Sequence, residues 1–454
     1  MKLLVSKESD VNYLAKIVNI KEFTKHPDPE VQRLKCCQVD GFNIITGIDS
    51  EPGFYVYFPV MSQINSQFLN YNNLFRNKDL NADPEAKVGY FSDNGKVTII
   101  KLKGVVSEGF LISLQSLQNF IVDNFNIELD VNDNVEFDTI EHEGKSFKIV
   151  KKYKISQTSG SRGSSDKTSK STKKFDRLVE GQFRFHYETT VIRKCPWVIN
   201  PNDLIHISEK VHGTSFISAN VLCKTPLNLV QKVCKFLTKE NMYKYDNIYS
   251  SRKVIQNKNY NKNIGSGYYS CDVYGEANKV IEPLLDKGMT IYAEILGYTP
   301  SGSYIQKNYD YGYICPNDGK YEYNVNFGIR VYRITLTNVD GVVHEFSTQE
   351  VQIWSKAHNL QSVKEFYYGK AGDLYPDIKD SENWNTDFIE KLANDTNFYM
   401  EKLSPSCKNK VPHEGIVIKV ENMKSMAFKL KCFAFLDKEQ KNLDKGIDNI
   451  EDNQ

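Results

Sequence analysis

Residues 202–215 read NDLIHISEKVHGTS, an apolar stretch that ends in a lysine, a histidine and a glycine. Ile205 and Ile207 are separated by His206, and this period of two predicts a strand that delivers Lys210 to its C-terminal end. A lysine at a strand end is usually solvated, and a Gly-Thr pair usually marks a turn. The stretch therefore indicates a site only if matching partners lie elsewhere in the chain.

Length and charge set the first bounds on fold and function. A chain of 454 residues exceeds the size at which one core usually keeps growing, so two or three domains are expected. Lys and Arg total 58 against 57 Asp and Glu, a net charge of +1, which gives no bulk attraction to phosphate. Any nucleic-acid binding must come from local patches.

Cysteine spacing and hydropathy indicate the compartment. The nine cysteines show no C-x-x-C spacing, which argues against a structural zinc site and against a disulfide framework. The start, MKLLVSKESD (1–10), has too short an apolar run for a signal peptide, and no segment approaches the length of a membrane span. We expect a monomer in a reducing cytoplasm, or in a host cytoplasm if the chain is virus-encoded, without a membrane partner.

A polar stretch divides the chain. Residues 155–174, ISQTSGSRGSSDKTSKSTKK, are rich in Ser, Thr, Gly and Lys and hold no aromatic residue. Such a stretch buries too little apolar surface to offset its ordering entropy, which predicts a flexible linker over 151–174. Its lysines are also compatible with phosphate contacts. The flanking domains are predicted at 1–150 and 175–435, followed by a tail over 436–454.

The N-terminal domain consists of short β-like runs separated by Gly, Asp and Pro, which suggests a small barrel. Within it, KLKGVVSEGFLIS (101–113) resembles the strand-and-turn segment of tRNA-binding OB modules, with Lys101 and Lys103 alternating with apolar positions. An OB face binds nucleic acid through basic and aromatic side chains. The alternative is a barrel that only supports the second domain.

The larger domain mixes strands and helices, which predicts an α+β fold built around antiparallel sheets. The predicted strands are 290–298, 327–337 and 414–420, and the predicted helices are 347–360 and 385–403. The segment 340–412 resembles a helical insertion and is given no chemical role.

Possible partners of Lys210 lie on these strands. YAEILGY (292–298) places Glu294 inside an apolar strand, and Glu414 begins HEGIVIK. Lys429 and Lys431 are two residues apart and therefore share a face. Each has an ordinary alternative, because strand-end carboxylates and K-x-K pairs are commonly solvated.

Taken together and in order, these stretches resemble the motifs of the covalent nucleotidyltransferase superfamily. The matching stretches are KVHGTS (210–215), YAEILG (292–297), FGIRVYRI (327–334), EGIVIK (414–419) and KLK (429–431). His212 stands where DNA ligases and capping enzymes generally have Asp, and few residues follow Lys431, which disfavours both. With FRFHYETT (183–190), the chain resembles ATP-dependent RNA ligases that carry an N-terminal OB domain, the fifth RNA ligase family.

The resemblance implies a lysine nucleophile. A lysine amine with the ordinary pKa of about 10.4 is almost wholly protonated at neutral pH and cannot attack phosphorus. Nearby Lys429, Lys431 and a divalent metal would each lower that pKa by charge repulsion. Lys210 would then attack the α-phosphate of ATP to form a lysine-AMP adduct, while Glu414 holds Mg²⁺ or Mn²⁺.

The resemblance also implies the other contacts of the nucleotide. Lys429 and Lys431 would contact the α-phosphate and Glu294 the ribose. Tyr332 is the first choice for the aromatic ring that stacks on adenine, and Phe327 is the second. The remaining residues implied are Arg252 as a nucleotide or RNA contact, His212 beside metal and phosphate, and Gly213 as a position that keeps bulk away from the nucleotide. For His212, a purely structural histidine is the alternative.

The implied substrate is RNA with a 3′-hydroxyl and a 5′-phosphate end, in the setting of nicked-duplex repair. Two alternatives stay open from the residues. One is a DNA ligase of the same chemistry, and the other is a catalytically silent, OB-containing nucleic-acid-binding protein.

Overall fold

The protein is described here from a computed structural model. It covers residues 2–7, 9–127, 133–155, 177–187, 189–225, 243–256, 269, 271–314, 326–421 and 426–446. From position 156 onward, the predicted linker lies outside the described residues.

The N-terminal region is built from short strands and two helices. The strands are β1 (Lys2–Leu4), β2 (Ala15–Ile20), β3 (Thr24–Lys25), β4 (Leu34–Val39), β5 (Phe42–Gly47), β6 (Gly53–Pro59), β7 (Ser62–Ile64), β8 (Ile100–Leu102), β9 (Val105–Ser107), β10 (Gly109–Ser113), β11 (Glu136–Phe137), β12 (Thr139–His142), β13 (Lys145–Lys148) and β14 (Val150–Lys152). The helices are α1 (Ser66–Tyr71) and α2 (Leu114–Phe125). A four-stranded antiparallel sheet in the order β10-β6-β2-β11 carries α2, whose buried Leu117, Phe120 and Ile121 recur at helical spacing and join its core.

The predicted small barrel is corrected in one respect. Within the described residues, the strands of this region form separate sheets of two to four strands, and no hydrogen-bonded path closes them into a barrel. Lys101 lies on β8, but Lys103 has a φ of 45° in the turn that follows, so the two lysines do not alternate along one strand. Very short strands explain the open arrangement, because each can pair over only a few residues.

The larger region confirms the α+β prediction with antiparallel sheets. Its strands are β15 (Thr190–Val191), β16 (Leu204–Glu209), β17 (Thr214–Lys224), β18 (Tyr243–Ser250), β19 (Met289–Gly297), β20 (Phe327–Thr337), β21 (Val343–Glu345), β22 (Gln361–Ser362), β23 (Glu365–Lys370), β24 (Gly415–Val420) and β25 (Ala427–Lys431). Its helices are α3 (Val273–Ile281), α4 (Thr348–Ala357), α5 (Ala371–Leu374), α6 (Trp384–Asn394) and α7 (Phe433–Asp444).

Two sheets dominate this region. The first has the order β15-β25-β24-β16-β23, with a parallel pair only at β15-β25. The second has the antiparallel order β18-β17-β19-β20-β21, and the short β22 pairs parallel with β20. On the first sheet, Ile205, Ile207 and Ile418 point into one apolar core, and on the second, Ile329 and Val331 point into another. Because side chains alternate along a strand, the alternate residues face the cleft that separates the two sheets. Examples are His206 on the first sheet and Tyr332 on the second.

Two element boundaries differ from those predicted. The helix predicted over 385–403 ends at Asn394, because Asp395 has extended backbone and its side chain caps a separate short 3-10 helix, Thr396–Phe398. The predicted tail over 436–454 begins inside α7, an ordered helix whose Phe435 and Leu443 are buried.

Candidate active site

A cavity occupies the cleft between the two sheets and reaches the N-terminal region. Among the residues singled out from sequence, its lining includes Lys210, Arg252, Glu294, Tyr332, Lys429 and Lys431. Glu414 and His212 lie directly behind Lys210. Gly213 packs against β19, and Phe327 packs against the core of the second sheet. The structure therefore brings most of the predicted residues into one place.

Lys210 follows the last residue of β16, where the predicted strand ends. Its backbone N–H donates to the carbonyl oxygen of Gly415 at 2.9 Å, which fixes the lysine beside the start of β24. Its Nζ lies 2.7 Å from Oε1 of Glu414. The side chain of Lys210 is 18% exposed and that of Glu414 is 0% exposed, so the pair faces the cavity from the lysine side only.

Glu414 is a buried carboxylate shared among three cationic or potentially cationic groups. Besides Lys210, it faces Nδ1 of His212 at 3.2 Å and Nζ of Lys431 at 3.4 Å. Burial alone would raise the pKa of this carboxyl, but the charges of Lys210 and Lys431 and the contact with His212 hold the pKa well below its ordinary value. Glu414 is therefore ionised throughout the neutral range.

His212 is held from its backbone and from both sides of its ring. Its N–H donates to the hydroxyl of Tyr311 at 2.8 Å. The rings of Tyr309 and Phe435 meet it edge-on at 4.7 and 5.1 Å between centroids. The imidazole is thus oriented toward Glu414 and does not line the cavity.

Gly213 has a structural reason that differs from the predicted one. A Cβ at this position would lie 2.4 Å from the carbonyl oxygen of Ile295 and 2.6 Å from Cγ of Glu294. Such distances are below any ordinary contact, so only glycine lets β17 begin this close to β19. The glycine therefore positions Glu294, and the space it leaves is filled by a strand.

The two aromatic candidates separate clearly. Tyr332 lines the cavity, and its ring lies 5.3 Å from the ring of His186. Burial, together with the charge of Glu294, raises the pKa of the Tyr332 hydroxyl, which stays protonated. Phe327 instead packs against the core behind the second sheet.

Lys429 and Lys431 both face the cavity from β25, as their spacing predicted. Lys431 Nζ lies between two carboxylates, 3.4 Å from Glu414 and 3.6 Å from Glu439 of α7. Arg252 reaches the cavity from the segment that follows β18.

Several cavity residues were not identified as site residues from sequence. His186 and Tyr187 line the cavity from FRFHYETT, a stretch noted only for its resemblance. Burial, together with the charges of Arg252 and Arg333, lowers the pKa of His186 to about 3, so its imidazole is neutral. Residues of the segment 340–412, for which no role was predicted, also contribute to the lining, namely Glu345, Thr348, Val351, Gln352, Ser362 and Val363.

The N-terminal region closes one side of the same cavity. Asp10, Tyr13, Met61 and Lys152 contribute to the lining, and Nζ of Lys152 lies 5.1 Å from the centre of the Tyr13 ring. Burial, opposed in part by the charges of Lys152 and Lys431, raises the pKa of Tyr13 to about 12. No sequence signal distinguished these residues from other polar positions in short strands and turns.

The donor set can be tested against a divalent cation. In the described part of the chain, no group of three or more His, Cys, Asp or Glu side chains is placed to hold a metal by itself. Glu414 nevertheless offers an ionised carboxylate directly behind Lys210, which itself lines the cavity. Mg²⁺ is often bound by one or two carboxylates with the rest of its shell from water and substrate phosphates, and the site fits that mode.

Comparisons with known proteins are consistent with this geometry. A family model described as RNA ligase matches residues 203–432. The fold is similar to Naegleria gruberi RNA ligase with pyrophosphate, at 14% identity over 95% of this chain and 100% of that chain, with a TM-score of 0.51. It is also similar to mutants of that ligase solved with ATP and Mn (13% identity, 94% and 99% covered, TM-score 0.52) and with AMP and Mn (14% identity, 94% and 99% covered, TM-score 0.52).

Two further findings are negative. A search of the curated proteins finds no match. Within the described residues, the helices are too short or too polar for any of them to cross a bilayer.

Proposed function

The chain belongs to the RNA ligase family, and we propose that it joins 3′-hydroxyl and 5′-phosphate RNA ends in an ATP-dependent reaction. The observation that carries the proposal is the Lys210–Glu414 pair at 2.7 Å, at the wall of a cleft that Lys429 and Lys431 also line. An amine nucleophile, a buried carboxylate and two cations that can contact phosphate are the groups that nucleotidyl transfer to lysine requires.

The first step uses Lys210 as nucleophile. In the ion pair with Glu414 the amine is an ammonium, which has no lone pair to attack phosphorus. A divalent cation on Glu414 would satisfy the carboxylate and free the amine, and it would supply charge neutralisation at the phosphates. Once its proton has passed to solvent, the Lys210 nitrogen bonds to the α-phosphorus of ATP while the bond to pyrophosphate breaks.

The other cavity residues hold the nucleotide during this step. Lys429 and Lys431 neutralise the charge on the α-phosphate oxygens, which is the main requirement of in-line phosphoryl transfer. Glu294 accepts from the ribose hydroxyls, and the Tyr332 ring offers a face for the adenine. His186, beside Tyr332, is neutral, so it adds no positive charge to that of the lysines that neutralise the phosphates.

Two transfers complete the reaction. AMP passes from Lys210 to the 5′-phosphate of one RNA end, which breaks the nitrogen–phosphorus bond. The 3′-hydroxyl of the other end then attacks that phosphate and releases AMP. The N-terminal region, an OB-like module in this proposal, binds the strand that carries the 3′-hydroxyl, in the setting of a nick in duplex RNA.

The test is transfer of label from ATP labelled at the α-phosphate, with Mg²⁺ or Mn²⁺, on protein freed of bound AMP. We expect a labelled adduct that maps to Lys210 and that is absent in Lys210→Met. The control is Lys379→Met, which changes a lysine paired with Asp373 away from the cavity. Equal labelling of Lys210→Met and the parent protein would disprove the nucleophile.

Substrate choice is tested separately, because a DNA ligase of the same chemistry would label equally well. Nicked duplexes that differ only in ribose or deoxyribose on the 3′-hydroxyl strand distinguish the two. Sealing that requires ribonucleotides supports RNA ligation, and equal sealing of both duplexes contradicts it. A binding protein without activity would show neither label nor sealing.

A further inference from the structure

Helix α7 contacts the candidate active site through one of its faces. Oε2 of Glu439 lies 3.6 Å from Nζ of Lys431, and Glu439 itself lines the cavity. One turn earlier, the ring of Phe435 lies 5.1 Å from the ring of His212 and 4.9 Å from Nζ of Lys431. Two groups that surround Glu414 are therefore held by the same helix.

The last part of α7, from Gln440 to Asp444, is fixed to the N-terminal region. The backbone N–H of Ile99 donates to the Gln440 side chain at 2.9 Å, and the Gln440 amide donates back to the Ile99 carbonyl at 3.4 Å. Asp444 pairs with Nζ of Lys96, whose side chain is only 2% exposed. Because Gln440 is 9% exposed, its paired bonds are shielded from water and cannot be replaced by solvent without opening the contact.

The beginning of α7 is anchored independently. The Glu401 carboxylate accepts from the N–H of Phe433 at 2.6 Å and from that of Ala434 at 3.2 Å. A carboxylate at a helix N-terminus satisfies N–H groups that have no partner inside the helix. The helix is therefore held at its start, along its active-site face and at the N-terminal region.

We propose that α7 is a positioning element for nucleotidyl transfer, which couples docking of the N-terminal region, through Gln440 and Asp444, to the placement of Lys431 and His212, through Glu439 and Phe435. This inference rests on the proposed function. Glu439 also pairs with Lys431, so this lysine attracts the Glu414 carboxylate less strongly and the carboxylate stays paired with Lys210. Helix α7 is rigid over these few turns, so a shift at Ile99 moves Glu439 with it.

The magnitude of the effect follows from geometry. Misplacement of a reacting or charge-stabilising group by about 1 Å can reduce a rate by about 100-fold. If the contacts of Gln440 and Asp444 were lost, α7 would keep the anchor of Glu401 at its start but lose the restraint on its second half. We therefore expect changes at Gln440 to act on the rate of lysine labelling, although Gln440 itself does not line the cavity.

The experiment is single-turnover labelling of the full chain by ATP labelled at the α-phosphate, with saturating Mg²⁺. The variants are Gln440→Leu, which keeps the size and removes both bonds to Ile99, and Glu439→Gln, which removes the charge beside Lys431. The control is Lys441→Ala on the same helix, where the side chain is 66% exposed and pairs only with Asp437. Two quantities are measured, the rate constant at saturating ATP and the fraction of protein that becomes labelled.

A positioning role and a purely structural role change different quantities. We expect a rate constant at least tenfold lower in Glu439→Gln and at least fivefold lower in Gln440→Leu, with the labelled fraction unchanged and Lys441→Ala equal to the parent. A lower labelled fraction at the parent rate constant would mean that α7 only supports the fold, and it would overturn the inference. If Gln440→Leu does not fold, Asp444→Asn decides in the same assay, because Asp444 is 48% exposed and touches the same region. Absence of label in the parent protein would instead refute the proposed function.

Discussion

At the scale of single residues, the site depends on one position that admits no side chain and on one buried charge that its neighbours offset. Gly213 leaves room for β19 to approach, and this approach places Glu294 opposite Ser215 in the cleft. Glu414 is tolerated at full burial because three neighbours offset its charge. These requirements are invisible in composition and become clear only from distances.

Gly213→Ala tests the first requirement. The added methyl would meet the Ile295 carbonyl oxygen at 2.4 Å, so β17 and β19 must separate. We expect a loss of about 1–3 kcal/mol in the free energy of unfolding, typical of overpacking, and slower labelling of Lys210 because Glu294 moves. Urea unfolding and the label assay measure the two effects. Gly47→Ala is the matched control, since a Cβ there meets nothing within 4 Å, and a similar loss in both variants would contradict the argument.

His206→Gln tests a buried histidine that lines the cavity. Burial lowers the pKa of His206 to about 4, with Glu365 opposing this shift and Lys419 adding to it. The unfolded chain binds a proton below the ordinary pKa of about 6.5 and the folded ring stays neutral, so stability falls as the pH drops through this window. Between pH 7 and pH 5 this histidine should account for about 2 kcal/mol of that fall, which the variant should not show. Equal pH profiles of the parent and the variant, from urea unfolding, would count against a neutral buried ring.

At the scale of elements, the segment 340–412 shows why local patterns located helices but not their purpose. Helix α4 carries Val351 and Gln352 into the cavity wall, and its start is fixed by a capping box between Ser347 and Glu350. The spacing of apolar residues revealed the helix. Its contribution to the site depends on packing against β20, which precedes it in the chain, and against β22, which follows it.

Ser347→Ala tests the capping box. The Ser347 side chain accepts from the Glu350 N–H, and the Glu350 side chain accepts from the Ser347 N–H. Removing the first bond should lower the free energy of unfolding by about 1 kcal/mol. The control is Asn383→Ala at the start of α6, where the cap residue makes no side-chain capping bond and little change is expected. Denaturant titration of both variants is sufficient, and equal losses would refute a specific capping role.

At the scale of the whole molecule, the N-terminal region is bound to the larger region on two sides of the cavity. On one side, Arg193 donates to the Gly41 carbonyl at 2.8 Å and pairs with Glu108 at 3.3 Å. On the other side stand the contacts of α7 with Ile99 and Lys96. Tyr13 and Lys152 of the N-terminal region form part of the cavity wall, so a loss of docking would remove them from the site.

Arg193→Met tests the first attachment. The change leaves the Glu108 carboxylate without its partner, and both side chains are less than one-sixth exposed. Breaking such a pair should cost about 3 kcal/mol of docking free energy. We expect a larger radius of gyration by small-angle X-ray scattering and slower labelling of Lys210. Lys391→Met, at an exposed pair with Asp377, serves as control, and an unchanged radius with unchanged labelling would show that docking does not rely on Arg193.

Much of the larger region could be predicted from sequence because its signals are local. The predicted strands over 290–298, 327–337 and 414–420 correspond to β19, β20 and β24 within a residue or two. The N-terminal region was harder, because its strands are short and the turn at Lys103 breaks an apparent alternation. The predicted helix over 385–403 was too long because the cap at Asp395 is itself a local signal that competes with helical spacing.

The sequence by itself determined which residues stand at strand ends and which face they take, since alternation along a strand is set by the backbone alone. The resemblance of the ordered motifs to those of the covalent nucleotidyltransferase superfamily then indicated Lys210, Glu294, Glu414, Lys429 and Lys431 as one set. Only the tertiary structure decided that Tyr13 and Lys152 join this cavity, that Phe327 leaves it, and that Glu439 meets Lys431. The physical reason is that strand pairing and domain docking depend on contacts between residues far apart in the chain, which no local pattern records.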